Sequence, residues 1–344
     1  MNIKMENFPV DVVYMWVDGK EEKWISKKNK LLNKLGNHYK TSDIIGEKRF
    51  KDNQELKYSI RSVEKYCPWV RKIFIVTDDQ KPSWLNSNKS NLKIIDHRDL
   101  FDDSNCLPTF NSNAIEMRLH HINGLSNSFL SFNDDFFIGR PSLKSDFFHN
   151  DGSPKLYMSK SVSKIKLRFR LKYPFFKRLN AHAFALLNSR KLIYDKYHLL
   201  INQSLMHSVK SLNKNILYEI EGVFSNECKQ TSQNQLRDPS DIWMISLHAY
   251  YSIALKKVKL SKIKKIQKID FINNIYTLLN IKLDYGFINL NWPLKKIEKY
   301  LFLIQKYSPL TFCLNDWNSK NPNLDIIVKK FLEKMYPNKS SYEQ

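Results

Sequence analysis

The sequence offers little from which to build disulfides or a zinc finger. Its cysteines, Cys67, Cys106, Cys228 and Cys313, are widely scattered, form no C-x-x-C pair and are accompanied by no histidine pair at zinc-finger spacing. A disulfide framework is not expected in a chain of 344 residues with so few cysteines. A reducing compartment is therefore favoured.

Long apolar runs are missing as well. No stretch is long enough to span a bilayer, and the opening residues, MNIKMENFPV, contain no apolar core of a signal peptide. From these absences we expect a cytoplasmic protein. If it meets a membrane, we expect the contact to be peripheral, on the inner face.

Acidic residues are scarce relative to basic ones. The chain has 34 Asp and Glu against 56 Lys and Arg, a formal net charge of +22. This balance favours an anionic partner, such as a nucleotide, a phosphorylated glycan, nucleic acid or an anionic membrane face. The many Lys, Asn and Ile residues fit a merely solvated lysine-rich surface equally well, and both interpretations stay open. No nucleic-acid-binding signature accompanies the charge, so nucleic acid is not an expected partner.

The first half of the chain alternates between strand and helix patterns. Short runs of apolar and β-branched residues predict buried strands, and apolar residues at helical spacing predict the helices between them. The predicted strands are residues 10–16, 72–77, 92–96 and 128–132, and the predicted helices are residues 53–65 and 112–122, the latter capped by Ser112. This alternation predicts an α/β fold with a mostly parallel, Rossmann-like sheet core flanked by helices.

The second half is predicted to be more helical. Residues 164–172 alternate basic and apolar with period two, which predicts an edge strand guarded by charge, or else a surface that meets acidic lipid or a phosphorylated acceptor. Residues 241–255 and 255–268 are predicted helices, the second amphipathic, with either a solvated basic face or a membrane-docking face. The last helix is expected to end within residues 331–336.

Two turns carry the residues of greatest chemical interest. Asp18-Gly19 follows the first strand and Asn133-Asp134-Asp135 follows the fourth. In open parallel sheets, ligands bind beyond the carboxyl ends of the strands, where both turns would lie. Adjacent carboxylates there can hold magnesium together with diphosphate oxygens. Acids in a turn are more often solvated or capping a helix, and the position after a strongly apolar strand is what favours the metal site.

Four separated segments also occur in the order typical of one enzyme family. They are residues 11–19 (DVVYMWVDG); residues 49–50 and 52–62 continuing through 68–71, 75–77 and 82–85; residues 107–110, 114–116 and 133–135; and residues 312–316 with 336–337 and 340–343. In these segments the chain resembles the Stealth family of hexose-1-phosphate transferases. That family includes bacterial capsular polysaccharide phosphotransferases and the animal lysosomal-enzyme N-acetylglucosamine-1-phosphotransferase.

The resemblance implies a GT-A-like core and a reaction. The family moves a sugar-1-phosphate from a UDP-sugar to a hydroxyl group and releases UMP. Applied here, it implies Mg²⁺ (or Mn²⁺) as cofactor, and a UDP-sugar and a glycan acceptor, expected to be lipid-linked, as partners. The composition and length favour the bacterial branch and hence capsular or other cell-surface polysaccharide synthesis. The alternative is a metal-dependent glycosyltransferase that releases UDP.

The resemblance also implies roles for individual residues. The metal ligands would be Asp134, Asp135, Asn315 and Asp316; the catalytic residues His182, Arg237 and Asp135; and the donor-binding residues Trp16, Asp18, Gly19, Asn53, Glu55, Arg61, Arg118 and Asn133. Several alternatives stay open. Trp16 would stack on uracil or pack in the core, Asn53 and Glu55 would orient the donor or cap a helix, and the two helical arginines would bind the donor or form structural ion pairs.

Departures from the family pattern concern the acceptor side. Residues 20–22 are Lys-Glu-Glu where the family has Ser-Asp-Pro, Asn234 stands where histidine is common, and Phe184 stands where proline is usual. We divide the chain into residues 1–140, the first part of the catalytic core with the nucleotide- and metal-binding turns; residues 141–255, an insertion on the acceptor side with His182 and Arg237; and residues 256–344, a basic helical segment and the last part of the core.

Overall fold

The structure is a computed structural model that describes residues 8–35, 46, 50, 52–159, 161–174, 180–258, 260–261, 264–266, 270–279, 281–315 and 322–344. Its strands are β1 (Val10–Met15), β2 (Val70–Thr77), β3 (Leu92–Asp96), β4 (Ser128–Asn133), β5 (Phe136–Ile138), β6 (Leu156–Tyr157), β7 (Lys210–Asn213), β8 (Leu260–Ser261), β9 (Tyr285–Asn289) and β10 (Thr311–Asn315).

The described helices lie mostly after residue 140. They are α1 (Glu22–Leu35), α2 (Glu55–Tyr66), α3 (Ser112–Glu116), α4 (Lys164–Lys172), α5 (Ala181–Tyr197), α6 (Lys214–Val223), α7 (Ser225–Gln233), α8 (Met244–Ala254), α9 (Asp270–Leu278), α10 (Leu294–Tyr307) and α11 (Pro322–Met335). Among them, none combines the length and the apolar composition that crossing a bilayer requires. The more helical C-terminal half is confirmed.

The main sheet has five strands in the order β3-β2-β1-β4-β7. Strands β1 to β4 run parallel, and β7 pairs antiparallel with β4 at one edge. All four predicted strands are present, and the predicted α/β fold with a mostly parallel sheet is confirmed. The strand β7 comes from the region expected to be an insertion, so that region completes the core sheet.

Alternating residues of β1 place the core on both faces of the sheet. Val12 and Tyr14 pack with Leu56 and Ile60 of α2, whereas Val13 packs in a separate cluster on the other face. All five side chains are essentially inaccessible to solvent. The central strand is therefore apolar on both faces, as expected of a strand covered by helices on both sides.

A second sheet has three strands in the order β5-β10-β9. Strand β10 runs antiparallel to β5 and parallel to β9. Because only Asp134 and Asp135 separate β4 from β5, the acidic turn joins the two sheets. This connection brings the C-terminal strand β10 next to the acidic turn, and the short strands β6 and β8 form a separate parallel pair.

The predicted edge strand at residues 164–172 is wrong, because this segment forms helix α4. Ser163 caps the helix by accepting a hydrogen bond from the backbone N–H of Lys166. In a helix, Leu167 and Leu171 lie one turn apart on the same face, where they are buried in contact with Leu187 of α5. Lys, Leu and Arg are also good helix formers, so the two-residue alternation did not decide the structure.

Two further helix predictions are corrected in part. Helix α8 ends at Ala254, Lys256 has a left-handed backbone conformation, and the described residues 260–261 form β8, so residues 255–268 are not one amphipathic helix. Residues 259, 262–263 and 267–268 of that prediction lie outside the described part of the chain. The helix predicted at residues 112–122 ends as α3 at Glu116, and its cap is Asn111 and not Ser112.

Candidate functional site

A cavity of about 720 Å³ lies at the edge of the main sheet where its parallel strands end. Met15, Val76 and Asn133 line it from the carboxyl ends of β1, β2 and β4, and His97 lines it just beyond β3. Lys210 joins them because β7 is antiparallel and so begins at this edge. The cavity therefore occupies the place where open α/β sheets bind ligands.

The rest of the wall comes from β4, β5 and the end of β10, from helices α1 and α3, from the starts of α5 and α8, and from the loops between these elements. These residues are Trp16, Val17, Trp24, Phe50, Thr109, Phe110, Ser112, Asn113, Ile115, Glu116, Ser131, Asp134, Phe136, Asn180, His182, His207, Arg237, Trp243, Ile245 and Asn315. Six of the residues predicted from the sequence line this cavity, namely Trp16, Asn133, Asp134, His182, Arg237 and Asn315.

Carboxylates crowd together behind the acidic turn. Burial raises the pKa of Asp134, and the negative charge of Asp52 raises it further. Burial and the charge of Asp134 likewise raise the pKa of Glu55, at the start of α2. Acidic groups crowded in this way disfavour one another's ionised forms, so a bound cation would stabilise all of them.

Asp135 contacts the end of the C-terminal strand. The Cys313 thiol donates to Asp135 Oδ2 at 3.3 Å, and the backbone N–H of Leu314 donates to the Asp135 carbonyl at 3.1 Å. A ring nitrogen of His207, the Cys313 sulfur and an Asp135 oxygen all lie within 4.8 Å of one another. The His207 side chain also hydrogen-bonds Asn315. The predicted ligands Asp135 and Asn315 thus meet around His207.

This donor set fits a hard divalent cation. Asp134, Asp135 and Asn315 offer carboxylate and amide oxygens, which are the ligands that magnesium and manganese prefer. Burial and the charge of Asp52 raise the pKa of Asp134, so a bound cation would favour its ionised form. Asp316, the fourth predicted ligand, lies outside the described residues.

Two cationic residues, Arg237 and Lys210, also line the cavity. Arg237 Nη2 donates a hydrogen bond to Ser112 Oγ at 2.7 Å, which orients the guanidinium at the wall. Lys210 donates to the carbonyl oxygens of Met206 and, at 2.6 Å, of Ser208. Burial lowers the pKa of Lys210 to about 7. An anion in the cavity would restore its charged form, so this wall is suited to phosphate oxygens.

Glu116 and Trp243 lie beside these cations. The Trp243 indole donates to Glu116 Oε2 at 2.5 Å. Burial raises the pKa of Glu116 to about 7, although the Trp243 hydrogen bond and the charges of Arg237 and Lys210 oppose the shift. The cavity therefore contains an acid that changes its charge near neutral pH.

Two histidines line the cavity in different surroundings. His182 is exposed in the first turn of α5, and its ring lies 4.6 Å from the Trp243 ring, edge to face. The His207 ring contacts the ring of Phe136 at 5.2 Å and that of Phe287 at 6.0 Å between centroids. Solvent reaches His207 through the cavity, but the enclosing walls and the positive charge of Lys210 lower its pKa. His207 is therefore neutral at physiological pH.

The turn after β1 is held by its own hydrogen bonds. Asp18 exchanges two backbone bonds of 3.0 Å with the Gln80 side chain and does not line the cavity. Gly19 donates its N–H to the Phe50 carbonyl at 2.8 Å, and a Cβ at Gly19 would lie 2.5 Å from that oxygen. Glycine is required for this close approach, which places Phe50 in the cavity wall against Trp24.

Three more of the predicted donor-binding residues, Asn53, Glu55 and Arg118, form hydrogen bonds outside the cavity wall. Asn53 donates from its backbone and its side chain to the Glu55 carboxylate, at 2.6 and 2.9 Å, at the start of α2. Arg118 donates to the Leu100 carbonyl and to the carboxylates of Asp102 and Glu221. None of these side chains lines the cavity.

Arg61 is also placed away from the cavity. Its Nε and Nη2 atoms bind the Glu343 carboxylate at 2.7 and 2.6 Å, and Nη1 donates to the Tyr336 carbonyl at 2.9 Å. The donor-binding roles predicted for Arg61 and Arg118 are therefore not supported by their positions. Both side chains are largely buried and form ion pairs, Arg61 with Glu343 and Arg118 with Asp102 and Glu221, because a buried arginine requires a partner for its charge.

Sequence reasoning did not assign roles to four residues that the fold brings into the wall: Glu116, His207, Lys210 and Trp243. Glu116 belongs to the third of the family segments, at residues 114–116, and this position could have marked it as a site residue. Lys210 is one of many lysines in the chain, and its burial at 7% exposure is a property of the antiparallel strand β7 alone. No spacing in the sequence predicts that strand's partner.

Comparison with known proteins adds three family matches. Conserved region 1 of the Stealth proteins matches residues 8–36, conserved region 2 matches residues 49–156, and conserved region 3 matches residues 206–254. Region 3 contains His207 and Arg237 and begins after His182. The acidic turn lies in region 2.

Similar proteins include named polysaccharide phosphotransferases. A capsular polysaccharide phosphotransferase of Haemophilus influenzae is 36% identical over 91% of this chain and 79% of its own length. An exopolysaccharide phosphotransferase of Streptomyces coelicolor is 37% identical over 71% of this chain, but the match spans only 25% of that relative. Among solved structures, a galactosyltransferase LgtC complex with donor and acceptor sugar analogues aligns over 94% of this chain and 95% of its own, at 9% identity and a TM-score of 0.40.

Proposed function

The chain belongs to the Stealth protein family, and we propose that it transfers a sugar-1-phosphate from a UDP-sugar to a hydroxyl group of a glycan. UMP is released, and a phosphodiester of a capsular or other cell-surface polysaccharide is formed. One observation carries the proposal: a single cavity joins a carboxylate cluster at Asp134 to a cationic wall formed by Arg237 and Lys210. A diphosphate bound with a divalent cation is complementary to both sides.

The donor end of the cavity offers a place for the nucleotide. Trp24 lies against Phe50 and Phe110, with ring centroids 4.8 and 5.0 Å apart, and Trp16 lines the same wall. Aromatic faces of this kind stack on a planar base. We assign the uracil to this aromatic wall, so that the diphosphate extends toward the acidic turn.

Mg²⁺ or Mn²⁺, held by Asp134, Asp135 and Asn315, would neutralise charge on the donor phosphates. Arg237, oriented by Ser112, binds a phosphoryl oxygen in the fork geometry that a guanidinium allows. Lys210 adds a second positive charge when the anion is bound. These groups stabilise the charge that grows on the phosphoryl oxygens and on departing UMP.

The acceptor hydroxyl attacks the phosphorus nearest the sugar, the bond from that phosphorus to the UMP oxygen breaks, and the hydroxyl proton passes to a base. His182 is the base implied by the family resemblance. His207 is a second candidate, because its ring lies beside Asp135 and Asn315, two of the proposed metal ligands. We therefore assign proton transfer to His207 and acceptor positioning to His182, which is exposed beside Trp243.

The product nucleotide tests the reaction. Purified protein is incubated with UDP-N-acetylglucosamine, UDP-N-acetylgalactosamine or UDP-galactose, magnesium and capsular oligosaccharide acceptors. Phosphorus-31 NMR then measures UMP against UDP and detects the phosphodiester. UMP with a phosphodiester supports the proposal, whereas UDP with a simple glycosidic product would establish a glycosyltransferase. His207→Gln and His182→Gln separate the two histidines, since loss of the base lowers kcat and loss of acceptor positioning raises the acceptor KM.

A further inference from the structure

Helix α4 has one buried apolar face and a second row of apolar side chains that is exposed to solvent. Leu167 and Leu171 form the buried face, at 3% and 7% exposure. Ile165 and Phe169, also one turn apart, are 81% and 44% exposed on the other side of the helix. Exposed large apolar side chains that line up in this way mark a surface for a partner and not ordinary solvent contact.

Exposed apolar side chains also lie just beyond both ends of the helix. Val162, just before the cap, is 51% exposed, and Tyr173, at the C-terminal cap, is 47% exposed. The ring of Tyr173 lies 5.1 Å from that of Phe169. The stripe therefore runs the full length of α4, about 14 Å for nine residues at 1.5 Å each.

Basic residues flank this stripe on both sides. Helix α4 contains five of them and no acidic residue: Lys164, Lys166, Arg168, Arg170 and Lys172, all exposed. Successive helical residues are about 100° apart, so Lys166 and Arg170 fall on one side of the stripe and Arg168 and Lys172 on the other. An apolar stripe between two rows of long cationic side chains is complementary to an anionic lipid surface, where the apolar groups insert and the cations reach the headgroups.

We propose that α4 is a docking element for an anionic membrane surface. The helix lies in the plane of the interface, with Ile165 and Phe169 inserted and the cations at the lipid headgroups. The peripheral membrane contact expected from the net charge is thereby assigned to one helix. Basic residues near a membrane contribute most to the attraction for anionic lipid at low ionic strength, because salt screens their charge. Docking should therefore weaken as the salt concentration is raised.

The position of α4 connects this surface to the cavity. Its buried leucines pack on Leu187 of α5, and His182 of the cavity wall lies five residues earlier on α5, about 8 Å along the helix axis. Docking through α4 therefore holds one wall of the cavity near the membrane. Resting on the proposed function, this arrangement favours a lipid-linked glycan as the acceptor.

Vesicle flotation tests the docking without any donor or turnover. Full-length protein is mixed with vesicles of phosphatidylcholine alone or with added phosphatidylglycerol. We expect binding only to the anionic vesicles, with release at high salt. Lys166→Glu combined with Arg170→Glu should weaken that binding by ~10-fold or more. The control variant, Lys295→Glu with Lys299→Glu on the basic helix α10, changes the net charge by the same amount. It should retain most of the binding to anionic vesicles.

The apolar stripe is tested in the same way. Ile165→Ser with Phe169→Ser should also lower vesicle binding by ~10-fold, and the control pair is Leu278→Ser with Phe302→Ser, which are 84% and 58% exposed on α9 and α10. The proposal is overturned if the test and control variants lose vesicle binding equally. It is also overturned if the native protein does not bind anionic vesicles, or if it binds neutral vesicles equally well. Turnover of a soluble acceptor is measured in parallel: its absence counts against the transfer reaction, whereas docking is judged by flotation alone.

Discussion

The Cys313 thiol donates to Asp135 Oδ2 at 3.3 Å across 178 positions of sequence. This contact exists because β10 pairs antiparallel with β5, with Cys313 opposite Phe136, the first residue after the acidic turn. The pairing places Asn315, two residues further along β10, beside His207 and close to the turn. The proposed metal site is thus completed by strand pairing between distant parts of the chain.

Replacing Asp135 with Asn should abolish most transfer. The change keeps the side-chain volume but removes a charged oxygen ligand, so we expect kcat to fall by ~100-fold or more at saturating donor. Initial rates over a magnesium titration, with magnesium affinity from calorimetry, measure the effect. Asp195→Asn, at an exposed position of α5, is the control. An unchanged magnesium dependence in Asp135→Asn would refute the ligand assignment.

Arg237→Lys should slow the reaction although the charge is kept. Lysine loses the planar fork that binds two phosphate oxygens, and we expect kcat/KM to fall by about 10–100-fold. Ser112→Ala, which removes the bond that orients the guanidinium, should cause a smaller loss of the same kind. The exposed substitution Arg98→Lys serves as control. Full activity in Arg237→Lys would mean that only charge matters at this position.

Glu116→Gln should stabilise the protein at alkaline pH and have little effect in acid. The pKa of Glu116 is raised from 4.5 to about 7 in the folded state, so the folded protein binds its proton more tightly than the unfolded chain. Stability from this group is complete below pH 4.5 and is lost as pH rises through 7. Above that range the ionised side chain costs about 3 kcal/mol at most.

Urea unfolding of native protein and Glu116→Gln at several pH values checks this prediction. The two curves should nearly coincide at about pH 4 and separate between pH 4.5 and about 7, with the variant the more stable. Glutamine still accepts the Trp243 hydrogen bond, so the comparison isolates the charge. A constant difference at all pH values would show that Glu116 does not titrate in this range.

Gly19→Ala should distort the turn that holds Phe50 in the cavity wall. The added methyl group would lie 2.5 Å from the Phe50 carbonyl oxygen, so the backbone must move. We expect the free energy of unfolding to fall by about 1–3 kcal/mol and the donor KM to rise. Gly222→Ala in α6, where no atom lies within 4 Å of the new Cβ, is the matched control and should be neutral or stabilising. Equal behaviour of the two variants would contradict the steric argument.

Arg61→Ala should affect stability but not donor binding. Removing the guanidinium leaves Glu343 buried without its bidentate partner, which costs about 3–5 kcal/mol. The exposed pair of Arg98 with Asp96 supplies the control, since Arg98→Ala should cost at most about 1 kcal/mol. Chemical unfolding and donor KM are measured for both variants. A raised donor KM in Arg61→Ala, with stability unchanged, would restore the donor-binding role.

Local patterns determined the four parallel strands of the main sheet. The four strands of the first half are short apolar runs, and burial on both faces of a parallel sheet requires such runs whatever their neighbours are. The turns at Asp18-Gly19 and Asn133-Asp134-Asp135 follow directly from where those strands end. For that reason the α/β class, the position of the acidic pair and the family membership were all accessible from the sequence.

Only the tertiary structure decided which distant groups meet. The alternation in residues 164–172 fits a strand or a helix, and packing of Leu167 and Leu171 against α5 selects the helix. Arg61 and Arg118 are bound in ion pairs whose partners lie far away in sequence. Lys210 and His207 reach the cavity because β7 pairs with β4, and Asn315 does so because β10 pairs with β5. Side-chain burial and strand pairing depend on the whole fold, so residue type and spacing alone do not specify them.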